Sequence, residues 1–111
     1  HVNAEKSSAK TRGPMVFYYY DSVKSRQLAL QIQKNLEEAY IKAGHRVPAR
    51  KANGNRSLFI LKNTKPAGVI VELGFITNSG DRQLLTTEAF QKQIAKAMAL
   101  AIKEYFSQKA L

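Results

Sequence analysis

Glu72 closes the run Val69-Ile70-Val71 at a place where another aliphatic residue is expected, and Gly74 follows two positions later. Three consecutive β-branched residues read as a strand buried on both faces of an α/β sheet. A carboxylate at the C-terminal end of such a strand is costly unless it is paired, protonated or bound to a metal. In open α/β sheets that strand end is also where ligands bind. The competing structural reading is an ordinary ion pair with one of the many lysines.

Other side chains carry weaker signals. His1 by itself shows only a position at a terminus. Asn3 either starts a turn or donates a supporting hydrogen bond, and the turn is the stronger reading. Arg46 either grips a substrate carboxylate bidentately or is one more solvated charge; its type and position leave both open. His45, just after a helix end, reads as an exposed cap. Asn78 reads as a turn residue that caps backbone. Tyr18, Tyr19 and Tyr20 alternate faces along a strand, which directs at least one into a core.

Three ordered blocks, His1-Val2-Asn3-Ala4, Arg12-Gly13-Pro14-Met15-Val16-Phe17-Tyr18-Tyr19 and Pro66-Ala67-Gly68-Val69-Ile70-Val71-Glu72-Leu73-Gly74-Phe75-Ile76-Thr77-Asn78, resemble the zinc-dependent N-acetylmuramoyl-L-alanine amidases of the amidase 3 family. Leu28-Ala29-Leu30-Gln31-Ile32-Gln33 matches that family's helix core, Arg46 its Arg-containing loop, and Leu58-Phe59-Ile60-Leu61 the strand that follows. The resemblance runs the length of the chain without a large insertion. The Glu72 block is its specific part.

The resemblance implies a cell-wall hydrolase of autolysin type, secreted or periplasmic, cutting the amide between N-acetylmuramic acid and L-alanine in peptidoglycan. It assigns zinc ligation to His1 and the catalytic proton transfers to Glu72, and it makes Arg46 and Asn3 candidate substrate contacts. A catalytic zinc supplies an activated water and an electrophilic centre. A carboxylate beside them moves a proton from water to the leaving amine. The family's other two zinc ligands, a His and a Glu, lie upstream of anything matched here. Residues 1–111 are therefore expected to be the C-terminal part of one catalytic domain, with an N-terminal segment or partner chain completing the site. Phe17-Tyr18-Tyr19-Tyr20 and the Leu61–Pro66 connection look most like the germination-type amidases of spore formers.

Composition sets wider bounds. A chain of 111 residues is one domain at most. With no Cys there is no thiolate metal site, so a metal must use imidazole, carboxylate and water. The 18 Lys and Arg against 8 Asp and Glu leave a net charge of +10, which favours polyanionic partners such as anionic cell-wall polymer or nucleic acid. A basic wall-binding module without catalysis is the rival function. A nucleic-acid binder is less favoured, because the aromatic residues sit in apolar patterns instead of interleaving with Lys and Arg. No apolar run is long enough to span a bilayer.

The elements that must position these residues follow from periodicity and punctuation. Residues 2–12 read as a polar loop and Met15 to Tyr20 as a strand. Ser22 caps a helix reaching about Ala43, with Gly44 just past its end. Leu28, Ile32, Leu36, Tyr40 and Ala43 form its core stripe. His45 to Asn55 reads as a basic turn-rich loop, and Ser57 to Leu61 and Gly68 to Leu73 as short strands. Thr86 or Thr87 starts a final helix to Phe106, burying Phe90, Ile94, Ala97, Met98, Ala101, Ile102 and Tyr105. The resulting expectation is an α/β fold: part of a layered α/β/α domain with a mixed, mostly parallel sheet.

Overall fold

A computed structural model of the chain describes residues 1–109. Its elements in order are β1 (Met15–Tyr19), α1 (Val23–Lys42), β2 (Asn53–Asn55), α2 (Phe59–Lys62), β3 (Val69–Glu72), α3 (Ser79–Leu85) and α4 (Glu88–Lys109). The sheet has the order β2-β1-β3, with β2 parallel and β3 antiparallel to β1. The α/β class expected from the sequence is therefore present, and the sheet is mixed.

Residues 1–3 extend that sheet beyond β3. The N-terminal amine donates to the Val71 carbonyl at 3.0 Å and the Leu73 amide donates to the His1 carbonyl at 2.9 Å. The Asn3 amide donates to Gly74 O at 2.7 Å, and the Ile76 amide to Asn3 O at 2.8 Å. This is a parallel pairing, with Asn3 opposite Phe75. By the same donor pattern His1 stands opposite Glu72. Two steps on the N-terminal segment thus span three on the other, so residues 73–75 form a bulge.

α1 begins where the sequence says it should. The Ser22 side chain accepts from the Ser25 amide at 3.2 Å. Its C-terminus is a Schellman turn: Gly44 at φ 79° lets its own amide reach Ile41 O and the His45 amide reach Tyr40 O. The helix buries Ala29, Ile32, Leu36 and Tyr40 against Val16 of β1, and α4 adds Phe90, Ile94 and Ala101 to the same cluster. Gln33, also buried, works as a strand substitute. Its Oε1 accepts from the Val16 amide at 2.9 Å and its Nε2 donates to Pro14 O at 2.9 Å.

Four expectations fail here. Ser57 to Leu61 is not a strand: α2 starts at Phe59, so the apolar run buries Leu61 alone and leaves Phe59 and Ile60 exposed. Such short apolar runs have no decisive period, and the Asn55 carboxamide, accepting from the amides of Ser57 and Leu58, turns the chain just before the helix. β2 lies inside the segment expected to be loop, where parallel pairing with Phe17–Tyr19 holds a polar Asn-Gly-Asn. Ile102 is exposed instead of buried. Ala43, at the last position of the expected stripe, is exposed where α1 turns off.

Candidate functional site

Glu72 is the last residue of β3, and its side chain is only 15% exposed. No Lys or Arg pairs with it among the described residues, which sets aside the ordinary ion pair. Its neighbour is His1, whose Nδ1 lies 3.3 Å from Oε1. The second carboxylate oxygen, Oε2, is buried and has no hydrogen-bond partner. A buried carboxylate oxygen left unmatched is costly unless function uses it. The His1 imidazole is 72% exposed and faces solvent with its remaining surface. Backbone pairing brings the two together, since residues 1–3 lie along the end of β3.

This donor set fits a metal in part. An exposed imidazole beside a carboxylate with a bare oxygen offers one ligand and one adjacent base. Among the described residues, however, no group of three or more His, Cys, Asp or Glu is placed to hold a metal ion.

Asn3 and Arg46 sit differently from the pair. The Asn3 side chain is spent locally: Oδ1 accepts from the Ala4 amide at 2.8 Å, and Nδ2 approaches Met15 Sδ at 3.9 Å. The turn reading fails at the backbone, because Asn3 sits in the parallel bridge with Phe75. Arg46 is exposed and makes no hydrogen bond or ion pair among the described residues, so nothing in the fold ties it to Glu72.

Arg50, four residues on, is tied into the fold. It donates through Nη1 to Arg12 O at 2.7 Å, and its guanidinium lies 5.8 Å from the centre of the Phe75 ring. Burial pulls this guanidinium below its ordinary range, while the charges of Glu37 and Asp81 push the other way. With Lys10, Arg12 and Asn78 it lines an open groove of about 780 Å³. No acidic side chain lines that groove.

Behind the Glu72 strand end lies a centre that the sequence reading did not single out. Asp81 is 0% exposed. Its Oδ2 accepts from the amides of Gly13 and Phe75, both at 2.8 Å, and its Oδ1 meets His45 Nε2 at 2.8 Å. The expectation that His45 is an exposed cap is therefore wrong for the side chain, which is 18% exposed and paired. Its backbone amide does close α1. Asn78 caps α3 as expected, accepting from the Asp81 amide at 3.0 Å, and its Nδ2 also ties down the loop through Ala9 O at 2.9 Å.

Tyr40 OH donates to Leu73 O at 2.7 Å. Burial, with the Asp81 charge, raises the pKa of that hydroxyl above the usual phenol range. Gly74 has to be glycine, because a Cβ there would overlap the Tyr40 hydroxyl and sit 3.0 Å from Asp81 Oδ2. The sequence signal for this centre was the Asn78-Ser79-Gly80-Asp81 spacing. It resembles a helix-capping pair and says nothing about long-range partners.

Residues 1–104 match the family described as N-acetylmuramoyl-L-alanine amidase, amidase 3. The chain is 28% identical over 113 residues to the germination-specific N-acetylmuramoyl-L-alanine amidase of Bacillus subtilis, covering 98% of this chain and 44% of that one. It superposes with a TM-score of 0.86 and 31% identity on the CwlD amidase of Clostridioides difficile, solved in complex with the GerS lipoprotein, covering 96% and 52% of the two chains. A second structure, N-acetylmuramoyl-L-alanine amidase from Clostridium difficile 630, gives a TM-score of 0.85 at 25% identity, covering 98% and 56%. The chain thus spans about half the length of these relatives. With the match running through both His1 and Glu72, the chain belongs to the amidase 3 family of N-acetylmuramoyl-L-alanine amidases.

Proposed function

We propose that this chain contributes the proton-transfer half of a zinc-dependent amidase site that hydrolyses the bond between the N-acetylmuramic acid lactyl group and L-alanine in peptidoglycan. The observation that carries the reading is the Glu72 carboxylate, with Oε1 at 3.3 Å from His1 Nδ1 and Oε2 buried and bare. His1 would supply one zinc ligand, with the remaining ligands coming from outside residues 1–109. When bound, zinc supplies an activated water and an electrophilic partner for the scissile carbonyl.

The work of this chain is then the proton transfer. Glu72 takes a proton from the attacking water, and the C–N bond breaks as the same carboxyl group gives that proton to the departing alanine nitrogen. β3 holds the backbone of Glu72 rigid, and the low exposure of its side chain keeps bulk water from competing for the proton. The groove of Lys10, Arg12 and Arg50 supports a polymer substrate whose stem peptides carry carboxylates. The place of action is the cell wall, outside the cytoplasmic membrane or in the periplasm. No helix among the described residues is long and apolar enough to cross a membrane.

Glu72→Gln in the full-length protein tests the reading. The amide keeps the shape of the side chain but cannot carry the proton. Binding to insoluble peptidoglycan and zinc content should hold while turnover falls by about 100-fold or more. Near-normal turnover would remove Glu72 from the role.

A further inference from the structure

The register that sets His1 opposite Glu72 is decided at residues 73–75, where the bulge breaks the regular step of the ladder. A bulge is a place where pairing can slide, and a slide of one residue turns a side chain to the other face of a sheet. Something must therefore hold these three residues from the side away from His1–Asn3. Two side chains do so. Tyr40 donates to Leu73 O at 2.7 Å, and Asp81 Oδ2 accepts from the Phe75 amide at 2.8 Å. Gly74 between them packs so closely against both that no side chain fits.

We infer that Asp81, together with Tyr40, is a positioning residue for the His1–Glu72 pair, acting through the backbone of residues 73–75. Hydrogen bonds to a charged acceptor are roughly twice as strong as neutral ones, and the Phe75 amide gains one in a site closed to water. The same Oδ2 accepts from Gly13, which leads into β1, and Oδ1 holds His45 just past the end of α1. A single buried carboxylate thus sets three chain segments against the strand end that carries Glu72. Among the described residues Asp81 makes no hydrogen bond or ion pair with His1 or Glu72, so its effect is geometric. A displacement of about 1 Å at a reacting group costs on the order of 100-fold in rate.

The register is a property of the fold alone; its catalytic consequence rests on the function proposed above. In the full-length protein, Asp81→Ala and Tyr40→Phe should speed amide hydrogen exchange at Asn3, Leu73 and Ile76, the donors that bridge the two segments. Both should lower kcat by about 10- to 100-fold with KM little changed. Asp81→Asn retains one oxygen for the Gly13 and Phe75 amides and can donate to neutral His45, so it should recover most of the exchange protection lost in Asp81→Ala.

Tyr40→Phe keeps the ring and removes only the hydroxyl, so it carries the test if Asp81→Ala does not fold. Unchanged exchange at Asn3 and Leu73 in that variant would overturn the inference. So would a lowered Tm with kcat intact, which would reduce both residues to fold stabilisers. If the wild-type protein showed no amidase turnover, the proposed function would fall, and the exchange rates would still decide the register.

Discussion

The Tyr40 hydroxyl donates to the Leu73 carbonyl at 2.7 Å and ties the last turns of α1 to the residue that follows Glu72. The bond requires the neutral phenol, and burial makes ionisation harder in the folded chain than in the unfolded one. A group with its pKa raised on folding contributes stability that is fully present below the unfolded value, near pH 10 for tyrosine. That contribution is lost as pH rises through the folded value. The midpoint of urea unfolding is therefore expected to fall above about pH 10 more steeply in the wild type than in Tyr40→Phe. The phenolate absorbance of Tyr40, read as the difference between wild type and Tyr40→Phe, should appear only as the chain unfolds. Parallel pH curves for the two proteins would contradict this.

Gln33 gives a stability prediction of a different kind. Gln33→Leu preserves bulk but leaves the Val16 amide without its partner and leaves the Pro14 carbonyl only the longer contact from Arg50 Nη1 at 3.5 Å. Leaving one buried polar group unmatched costs about 1–3 kcal/mol, so a loss of roughly 2 kcal/mol or more is expected in denaturant unfolding. A loss below about 0.5 kcal/mol, the range of ordinary surface changes, would mean that water replaces the carboxamide.

The 111-residue chain by itself is expected to bind zinc weakly. One imidazole and a neighbouring carboxylate fall short of the three protein ligands that a catalytic zinc site uses. Metal analysis after dialysis should give well under one zinc per chain, and purified muropeptide should remain uncut. Stoichiometric zinc would show that the described residues contain a ligand set that the His1–Glu72 geometry does not reveal.

The net charge of +10 should appear as salt-sensitive attachment to peptidoglycan bearing anionic polymer. Contacts between exposed charges are screened over about 8 Å at physiological ionic strength. Arg46 and Lys51 are exposed, and changing both to Gln should weaken attachment without loss of fold. Arg50 is excluded from that set, since it holds Arg12 O from a half-buried position. Salt-independent retention would argue against wall attachment. Tighter binding to DNA than to peptidoglycan at matched salt would favour a nucleic-acid partner instead.

What the sequence determined by itself was local. α1 could be read from Ser22 to Gly44 because a cap, a 3.6-residue apolar stripe and a left-handed glycine are properties of one contiguous segment. β1, β3 and α4 were legible for the same reason, and so was the anomaly of Glu72, since a carboxylate closing a β-branched run is visible without a partner. The family resemblance added His1, whose residue type alone carried no weight.

Tertiary structure decided everything that depends on a neighbour distant in sequence. β2 is a strand only because Phe17–Tyr19 pairs with it, since Asn-Gly-Asn has no strand preference of its own. Phe59 to Leu61 is helical where the Asn55 side chain turns the chain ahead of it, and only Leu61 of that run is buried. His45 became a half-buried partner of Asp81 just past the Schellman turn, and Asp81 gathered the Gly13, Phe75 and His45 partners that the chain keeps far apart. The placement of His1 beside Glu72 is the same kind of fact. Parallel pairing of residues 1–3 with the end of β3 creates it, and hydrogen bonds between remote backbones leave no mark in the order of side chains.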